Sequence, residues 1–130
     1  MKYVYPAIIE PQDGAYAVTV PDLPGCITFG ETLADALEMA KDAIEMWLWD
    51  AENRAETIPP ASTLETITSP ENALVNLIAA DTDVYRRNHE TRAVKKTVSI
   101  PAWLNYKAEQ ANAPYSQILQ EGLKEYLHIG

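Results

Sequence analysis

A long run of apolar residues at helical spacing, placed directly after three strand-like segments, restricts most strongly how this chain can fold. Apolar residues recur every three or four positions from Leu33 to Ala51, so they lie on one side of a single helix. Thr32, with Asp35 three residues later, is a variant of the capping box that marks a helix start. We expect this helix to lie across an antiparallel sheet, in an α+β fold.

Three strands are predicted before the helix and one after it. The first, from Tyr3 to Ile9, ends at a Gly-containing turn, and the second alternates bulky and small residues up to Val20. A short third strand spans residues 26–29, and residues 73–79 form the fourth after a Pro- and Ser-containing loop. The order β-β-β-α-β fills a first domain, residues 1–85.

The segment PDLPGCITFGET, residues 21–32, combines an Asp, the only Cys and two Gly in one loop. It lacks the glycine spacing that cradles phosphates, and Asp22 is typical of a turn residue that bonds the following backbone. Gly25 and Gly30 allow tight backbone geometry there. A lone Cys26 forms no internal disulfide and no metal cluster, which fits a reducing cytosol. We interpret the loop as architectural.

Charge is distributed unequally along the 130 residues. Residues 1–85 hold three basic and fifteen acidic residues, a net charge of −12, whereas residues 86–130 hold seven basic and four acidic residues, a net charge of +3. Such asymmetry suggests two electrostatic roles, although solubility alone can also set a charge pattern. Residues 86–94, which contain three arginines, are predicted to be a basic linker.

The predicted helix has an acidic side that includes Glu38, Asp42 and Glu45. Trp49 falls outside the apolar stripe, where a large aromatic either covers the edge of the core or anchors an interface. We take these four residues as candidates for binding a basic protein partner, with a merely solvated face as the alternative.

Groups for catalysis are scarce. The two histidines, His89 and His128, have no carboxylate or cysteine at metal-ligand spacing. No apolar run approaches the length needed to span a bilayer, and the N-terminus leads into a strand pattern and not into a signal peptide. We therefore expect no enzymatic activity, no metal, no cofactor and no membrane association, and we expect a cytoplasmic protein.

The stretch YAVTVPDLPGCITFGETLADALEMAKDAIEMWL, residues 16–48, resembles the N-terminal pattern of the HicB antitoxin family. The resemblance covers residues 1 to 80 and implies a partial RNase H-like domain that binds and neutralises a HicA-type toxin, an mRNA-cleaving ribonuclease. RNase H enzymes hold two metal ions with carboxylates, one of them on the first strand. The strand from Tyr3 to Ile9 has none, so catalysis by this domain is not expected.

The C-terminal segment has its own pattern, a strand followed by two helices. Lys95, Thr97 and Ser99 alternate with Val98 and Ile100, and Pro101 suits a first helical turn. A break at residues 112–113 separates a second helix that opens at residue 114. Fewer than forty residues cannot bury a core alone, so we expect this module, residues 95–130, to form a homodimer.

Strand-helix-helix with a polar strand face resembles the ribbon-helix-helix fold, in which two chains pair their strands and enter the major groove of DNA. WLNYKAEQANAPYSQILQEGLKEYL, residues 103–127, also resembles the C-terminal segment of HicB proteins that carry this module. By strand parity, Lys95, Thr97 and Ser99 face the bases, while Lys96 reaches the DNA backbone. Tyr115 and Ser116 lie near a phosphate at the start of the last helix.

The sequence thus predicts an antitoxin that neutralises a HicA-type ribonuclease and represses its own operon by binding operator DNA. A homodimer forms through the C-terminal module, and further pairing into a tetramer stays open. One alternative is a stand-alone ribbon-helix-helix transcriptional regulator whose N-terminal domain binds a ligand or oligomerises. An enzyme with a vestigial nuclease site is a third class, which the missing first-strand carboxylate disfavours.

Overall fold

The computed structural model describes the whole chain, from Met1 to Gly130, and divides it into two compact units. Unit 1 comprises residues 1–92 and unit 2 comprises residues 93–130. The sequence places a linker at residues 86–94, but its first residues, 86 to 89, continue a helix of unit 1. The segment outside regular structure therefore begins later than expected.

Unit 1 is built on a four-stranded antiparallel sheet. Its strands are β1 (Lys2–Gln12), β2 (Ala15–Thr19), β3 (Ile27–Gly30) and β4 (Leu74–Asp81). They lie in the order β3-β2-β1-β4, so β1 is paired on both sides while β3 and β4 form the edges. The four predicted strands are confirmed, and β1 runs further than the sequence indicated.

One face of this sheet is covered by the long helix α1 (Leu33–Asn53). The Thr32 hydroxyl accepts a hydrogen bond from the Asp35 N–H at 3.1 Å, which confirms the predicted cap. The helix packs its apolar stripe onto the inner face of the sheet and so forms the core of unit 1. The buried stripe consists of Ala36, Ala40, Ile44, Leu48 and Ala51, and the sheet contributes Tyr5, Ala7, Ile9, Val18, Ile78 and Ala80.

The loop between β2 and β3 turns the chain with its own backbone hydrogen bonds. The Val20 N–H donates to the Cys26 carbonyl at 3.0 Å, and Gly25 has φ +78°, a conformation that favours glycine. The prediction that the Asp22 side chain bonds the following backbone is wrong. Its carboxylate instead accepts the N–H and the hydroxyl of Ser62, at 2.8 and 2.6 Å, and ties the loop to the segment between α1 and β4.

Unit 1 ends in a helix that the sequence analysis did not predict, α2 (Thr82–His89). The Asp81 carboxylate caps it by accepting the Asp83 N–H at 2.9 Å. Asp83 lies in its first turn and three basic residues lie in its last turn, which complements the helix dipole. This arrangement of charges was a readable signal for a helix.

Unit 2 contains the two predicted helices, α3 (Ala102–Gln110) and α4 (Tyr115–Tyr126). They are separated at Asn112, which has φ +51°. The predicted strand over residues 95–100 is absent, because these residues have no regular structure in the single chain. A strand forms only beside a partner strand, and this unit offers none of its own.

No residue of unit 2 is buried. Its large apolar side chains are all exposed; they include Ile118, Leu119, Leu123, Tyr126 and Leu127. The unit therefore has helices but no core. No helix in the structure combines the length and apolar character that a bilayer-spanning segment requires.

We predict that Gly30→Ala strongly destabilises unit 1. A Cβ at Gly30 would lie 2.3 Å from the Ala36 nitrogen, a backbone atom of α1 that cannot move aside easily. We expect a loss of about 3 kcal/mol or more in the free energy of unfolding, measured by urea denaturation. Gly14→Ala is the control, since its methyl would meet nothing within 4 Å and only its positive φ is penalised, by about 1 kcal/mol. Equal losses in the two variants would refute the close contact.

Candidate binding surfaces

The packing of unit 1 leaves part of the acidic side of α1 exposed and buries another part. Glu38 and Asp42 are exposed, as predicted. Glu45 is not, because α2 and the end of β4 cover this part of the helix, and the residue is only 6% exposed. Its carboxylate accepts the Asp81 N–H at 2.8 Å and lies 3.9 Å from the Lys41 ammonium. The prediction that Glu45 is a surface contact is therefore wrong.

Trp49 holds α2 against α1 and does not stand free as an interface anchor. Its ring packs on Tyr85 with centroids 5.5 Å apart, and its indole N–H donates to the Glu90 carboxylate at 2.8 Å. Tyr85 in turn stacks on His89 with centroids 3.9 Å apart. The tryptophan that the sequence assigned to a partner thus already has partners within unit 1.

A second attachment of α2 converges on the carboxylate of Glu52. It accepts hydrogen bonds from the Tyr3 hydroxyl at 2.8 Å, the Thr82 hydroxyl at 3.0 Å and the Arg86 guanidinium at 3.0 Å. Arg86 also donates to Asn53 at 2.8 Å. One carboxylate thereby joins β1, α1 and α2.

Burial and hydrogen bonding act in opposite directions on Glu52. Burial alone would raise the pKa of Glu52, but the hydrogen bonds from Tyr3, Arg86 and Thr82 outweigh it and hold the pKa below its usual value. Burial, followed by the bond to Glu52, raises the pKa of Tyr3 to about 12. The ionised carboxylate and the neutral phenol are therefore the stable pair.

An acidic cleft of about 340 Å³ lies between α1 and α2. Burial, and then the negative charges of Asp42 and Glu45, raise the pKa of Tyr85 in this cleft. The cleft therefore carries a negative potential beside an aromatic surface, an environment suited to a basic side chain. Its lining consists of Glu38, Lys41, Asp42, Glu45, Val84, Tyr85, Asn88 and His89.

An apolar cleft of about 410 Å³ lies between α1 and the end of the loop that joins β2 to β3. Cys26, Met46 and Trp47 lie in its lining, and the Trp47 indole N–H donates to the Pro24 carbonyl at 3.0 Å. Burial raises the pKa of the Cys26 thiol to about 11, so the thiol stays protonated near neutral pH. The only cysteine therefore packs as an apolar group.

In unit 2 the predicted DNA-contacting residues are all exposed. Lys95, Lys96, Thr97 and Ser99 belong to the irregular segment before α3, and the apolar residues between them, Val98 and Ile100, are exposed as well. The structure places Tyr115 and Ser116 in the first turn of α4, as the sequence indicated. The location of Tyr115 and Ser116 therefore agrees with the prediction. The contact proposed for them, a DNA phosphate, lies outside the single chain.

Comparison with known proteins relates the chain to antitoxins along most of its length. The family model described as HicB_like antitoxin of bacterial toxin-antitoxin system matches residues 5–120. An uncharacterised 14.9 kDa protein of the rep-hol intergenic region of Haemophilus phage HP1 is 31% identical over 115 residues, which cover 88% of this chain and 85% of the phage protein.

Two solved structures share the fold. The antitoxin HicB of Burkholderia pseudomallei is 27% identical with a TM-score of 0.55, over 96% of this chain and 98% of that one. A toxin-antitoxin complex from Streptococcus pneumoniae includes a chain with a TM-score of 0.64 and 21% identity, over 97% and 99% of the two chains. At that identity, the second structure supports the fold alone.

We predict that Glu52→Gln lowers the stability of unit 1 in a pH-dependent manner. Because the folded-state pKa of Glu52 lies below its unfolded value, its contribution is present at neutral pH and is lost as the pH falls through the folded-state pKa. The difference in free energy of unfolding between wild type and variant should shrink between about pH 7 and about pH 3. Glu56→Gln, at an exposed position, is the control. A difference for Glu52→Gln that does not vary with pH would contradict the ionised hydrogen-bonded state.

Proposed function

The chain belongs to the HicB-like antitoxin family of bacterial toxin-antitoxin systems, and we propose that it binds and neutralises a HicA-type mRNA-cleaving ribonuclease and represses its own operon at operator DNA. Both activities belong in the cytoplasm, where mRNA and the operon are found. The observation that carries this proposal, with toxin binding in unit 1 and DNA binding in unit 2, is the unequal charge of the two units. Unit 1 has six basic and sixteen acidic residues, a net charge of −10, while unit 2 has four basic and three acidic residues.

The toxin-binding surface that we propose is centred on Glu38 and Asp42 at the mouth of the acidic cleft. A ribonuclease that grips RNA presents basic groups, and exposed carboxylates attract those groups and compete with the RNA for them. Glu45 strengthens the negative potential from its buried position without direct contact. Trp49 supports this surface indirectly by holding α2 in place.

The proposed role of unit 1 is inhibitory binding without catalysis. We propose a partial RNase H-like fold for its sheet and α1, in line with the family resemblance. The carboxylates of Glu38 and Asp42 would then meet a partner instead of a metal ion. Within the structure, no group of three His, Cys, Asp or Glu side chains is arranged to hold a metal ion.

For unit 2 we propose a ribbon-helix-helix homodimer. A unit with no buried residue needs a second copy to cover its apolar side chains, and the same pairing supplies the missing partner for residues 95–100. Strand parity then directs Val98 and Ile100 into the dimer core and Lys95, Thr97 and Ser99 into the major groove.

Phosphate contacts would position this ribbon on the operator. Lys96 lies at the start of the proposed strand and reaches the DNA backbone with its flexible side chain. Tyr115 and Ser116 lie at the N-terminus of α4, where free N–H groups and the helix dipole favour a phosphate. Pro114, just before them, lacks an N–H and leaves this contact with one donor fewer.

We expect the purified protein, added in excess, to abolish RNA cleavage by the toxin encoded beside it. We also expect the double variant Glu38→Lys with Asp42→Lys to neutralise the toxin more slowly. Reversing two charges at the proposed interface should reduce the association rate about tenfold at low salt. Glu65→Lys combined with Glu71→Lys, an equal charge change in the loop between α1 and β4, is the matched control. Full cleavage in excess wild-type protein would refute neutralisation, and equal rates for the two double variants would refute the proposed surface.

For operator binding, we expect Lys95→Ala, Thr97→Ala and Ser99→Ala each to weaken affinity by about 1 to 3 kcal/mol at fixed salt. Lys95→Ala and Lys96→Ala should both reduce the dependence of affinity on salt, because each removes a cation from the proposed interface. Lys41→Ala, a loss of one lysine from unit 1, is the control for charge alone. Electrophoretic mobility shifts with the operator measure the affinities, and undiminished binding by all three ribbon variants would contradict base contacts by this segment.

A further inference from the structure

The stretch that follows α2 carries only positive charge. Residues 91–108 contain four basic residues and no acidic residue. Three of the four, Arg92, Lys95 and Lys96, are close together in the sequence and fully exposed to solvent. None of them lies within salt-bridge distance of a carboxylate in the structure. The proposed ribbon uses the two lysines and leaves Arg92 without a role.

Glu90, the acidic residue nearest to Arg92 in the sequence, is held by unit 1. Its carboxylate accepts the Trp49 indole N–H at 2.8 Å and an N–H of the Arg86 guanidinium at 3.1 Å. The charge of Glu90 is therefore balanced on α1 and α2 and does not form an ion pair with Arg92. The Arg92 guanidinium is left able to bind an anion outside the chain.

Chain connectivity limits how far Arg92 can lie from the proposed ribbon. Residues 90–101 have no regular structure in the single chain, so they can extend when the ribbon forms. Only Ala93 and Val94 separate Arg92 from Lys95, which keeps the Cα atoms of Arg92 and Lys95 within about 11 Å of each other. In an antiparallel ribbon of residues 95–100, the twofold axis lies between residues 97 and 98. Along an extended strand, Lys95 is then about 8 Å and Arg92 about 18 Å from the axis.

These distances place Arg92 outside the base pairs that the ribbon can contact. At about 3.4 Å per base pair, the ribbon reaches about two base pairs to each side of the axis, and Arg92 reaches about three to five. The major groove is only about 12 Å wide, so a chain that continues past the ribbon meets the sugar-phosphate backbone and not further base edges. The anion that Arg92 meets there is a phosphate.

We propose that Arg92 of each copy binds a backbone phosphate on the outer side of the base pairs read by the ribbon. This contact rests on the DNA-binding function proposed above and adds a positioning residue to it. A guanidinium suits the contact, because it can donate two parallel hydrogen bonds to one phosphate. Twofold symmetry places one Arg92 at each end of the ribbon. The two contacts carry no sequence information, but they fix the register of the ribbon on the operator.

Ethylation interference with the full chain, on the DNA that precedes its own operon, tests this contact. The method identifies each phosphate whose charge the protein needs. For the wild type we expect an inner set of phosphates beside the ribbon and an outer set about three to five base pairs from the axis on both sides. Arg92→Ala should lose the outer set and keep the inner set. Arg92→Lys should keep both sets, because an ammonium still neutralises a phosphate.

Affinity provides a second measurement of the same contact. At about 0.1 M salt, Arg92→Ala should bind the operator at least about tenfold more weakly than the wild type, since each dimer loses two phosphate contacts. For the same reason, the slope of log affinity against log salt should fall in magnitude by about 2. Arg87→Ala is the matched control, because Arg87 is also exposed and free of carboxylates but lies within α2.

We expect Arg87→Ala to keep the outer set of phosphates and the wild-type salt dependence. An outer set that persists in Arg92→Ala would overturn the proposal. An equal loss of affinity in Arg87→Ala and Arg92→Ala would overturn it too, because the effect would then come from overall charge. Wild-type protein that binds no specific site on this DNA would instead refute the DNA-binding function itself, and the Arg92 contact with it.

Discussion

The packing of α1 against the sheet is the interaction on which unit 1 depends. The apolar stripe of this helix, from Ala36 to Ala51, covers the inner sheet face and forms a core without help from another chain. The sides of α1 that remain are divided between α2 and solvent. α2 covers Glu45 and Trp49, and Glu38 and Asp42 stay exposed. One helix thus provides both the stability of the unit and its acidic surface.

Unit 2 lacks a comparable interaction. Its helices end at sites that are readable in the sequence, such as the turn at Asn112, yet they bury nothing. Because apolar burial is the dominant favourable term in folding, such a unit depends on a partner for its stability. In the proposed account that partner is a second copy, and pairing completes the DNA-binding ribbon at the same time. We therefore propose that toxin binding needs only one folded chain, whereas operator binding needs two.

Sequence predicted those parts of the fold that local interactions determine. The Thr32 cap, the four strands and the two C-terminal helices depend on neighbouring residues and on periodicity, and all of them are confirmed. The predictions that were wrong concern residues whose partners are distant in the sequence. Glu45 is buried because it accepts the Asp81 N–H, and Trp49 is occupied because it bonds Glu90; neither contact is visible in a local pattern. The charges that mark α2 were readable at Asp83 and Arg86, but the predicted boundary between domain and linker fell between these two residues.

Unit 1 forms its core within a single chain, whereas we propose that unit 2 orders only in pairs. Hydrogen exchange of the full chain, carried out over a wide range of protein concentrations and measured by mass spectrometry, distinguishes these two modes of folding. We expect amides in α1 to keep the same protection throughout, whereas those in α3 and α4 should lose protection on dilution. Protection of α3 and α4 that equals that of α1 and does not change with concentration would contradict this proposal.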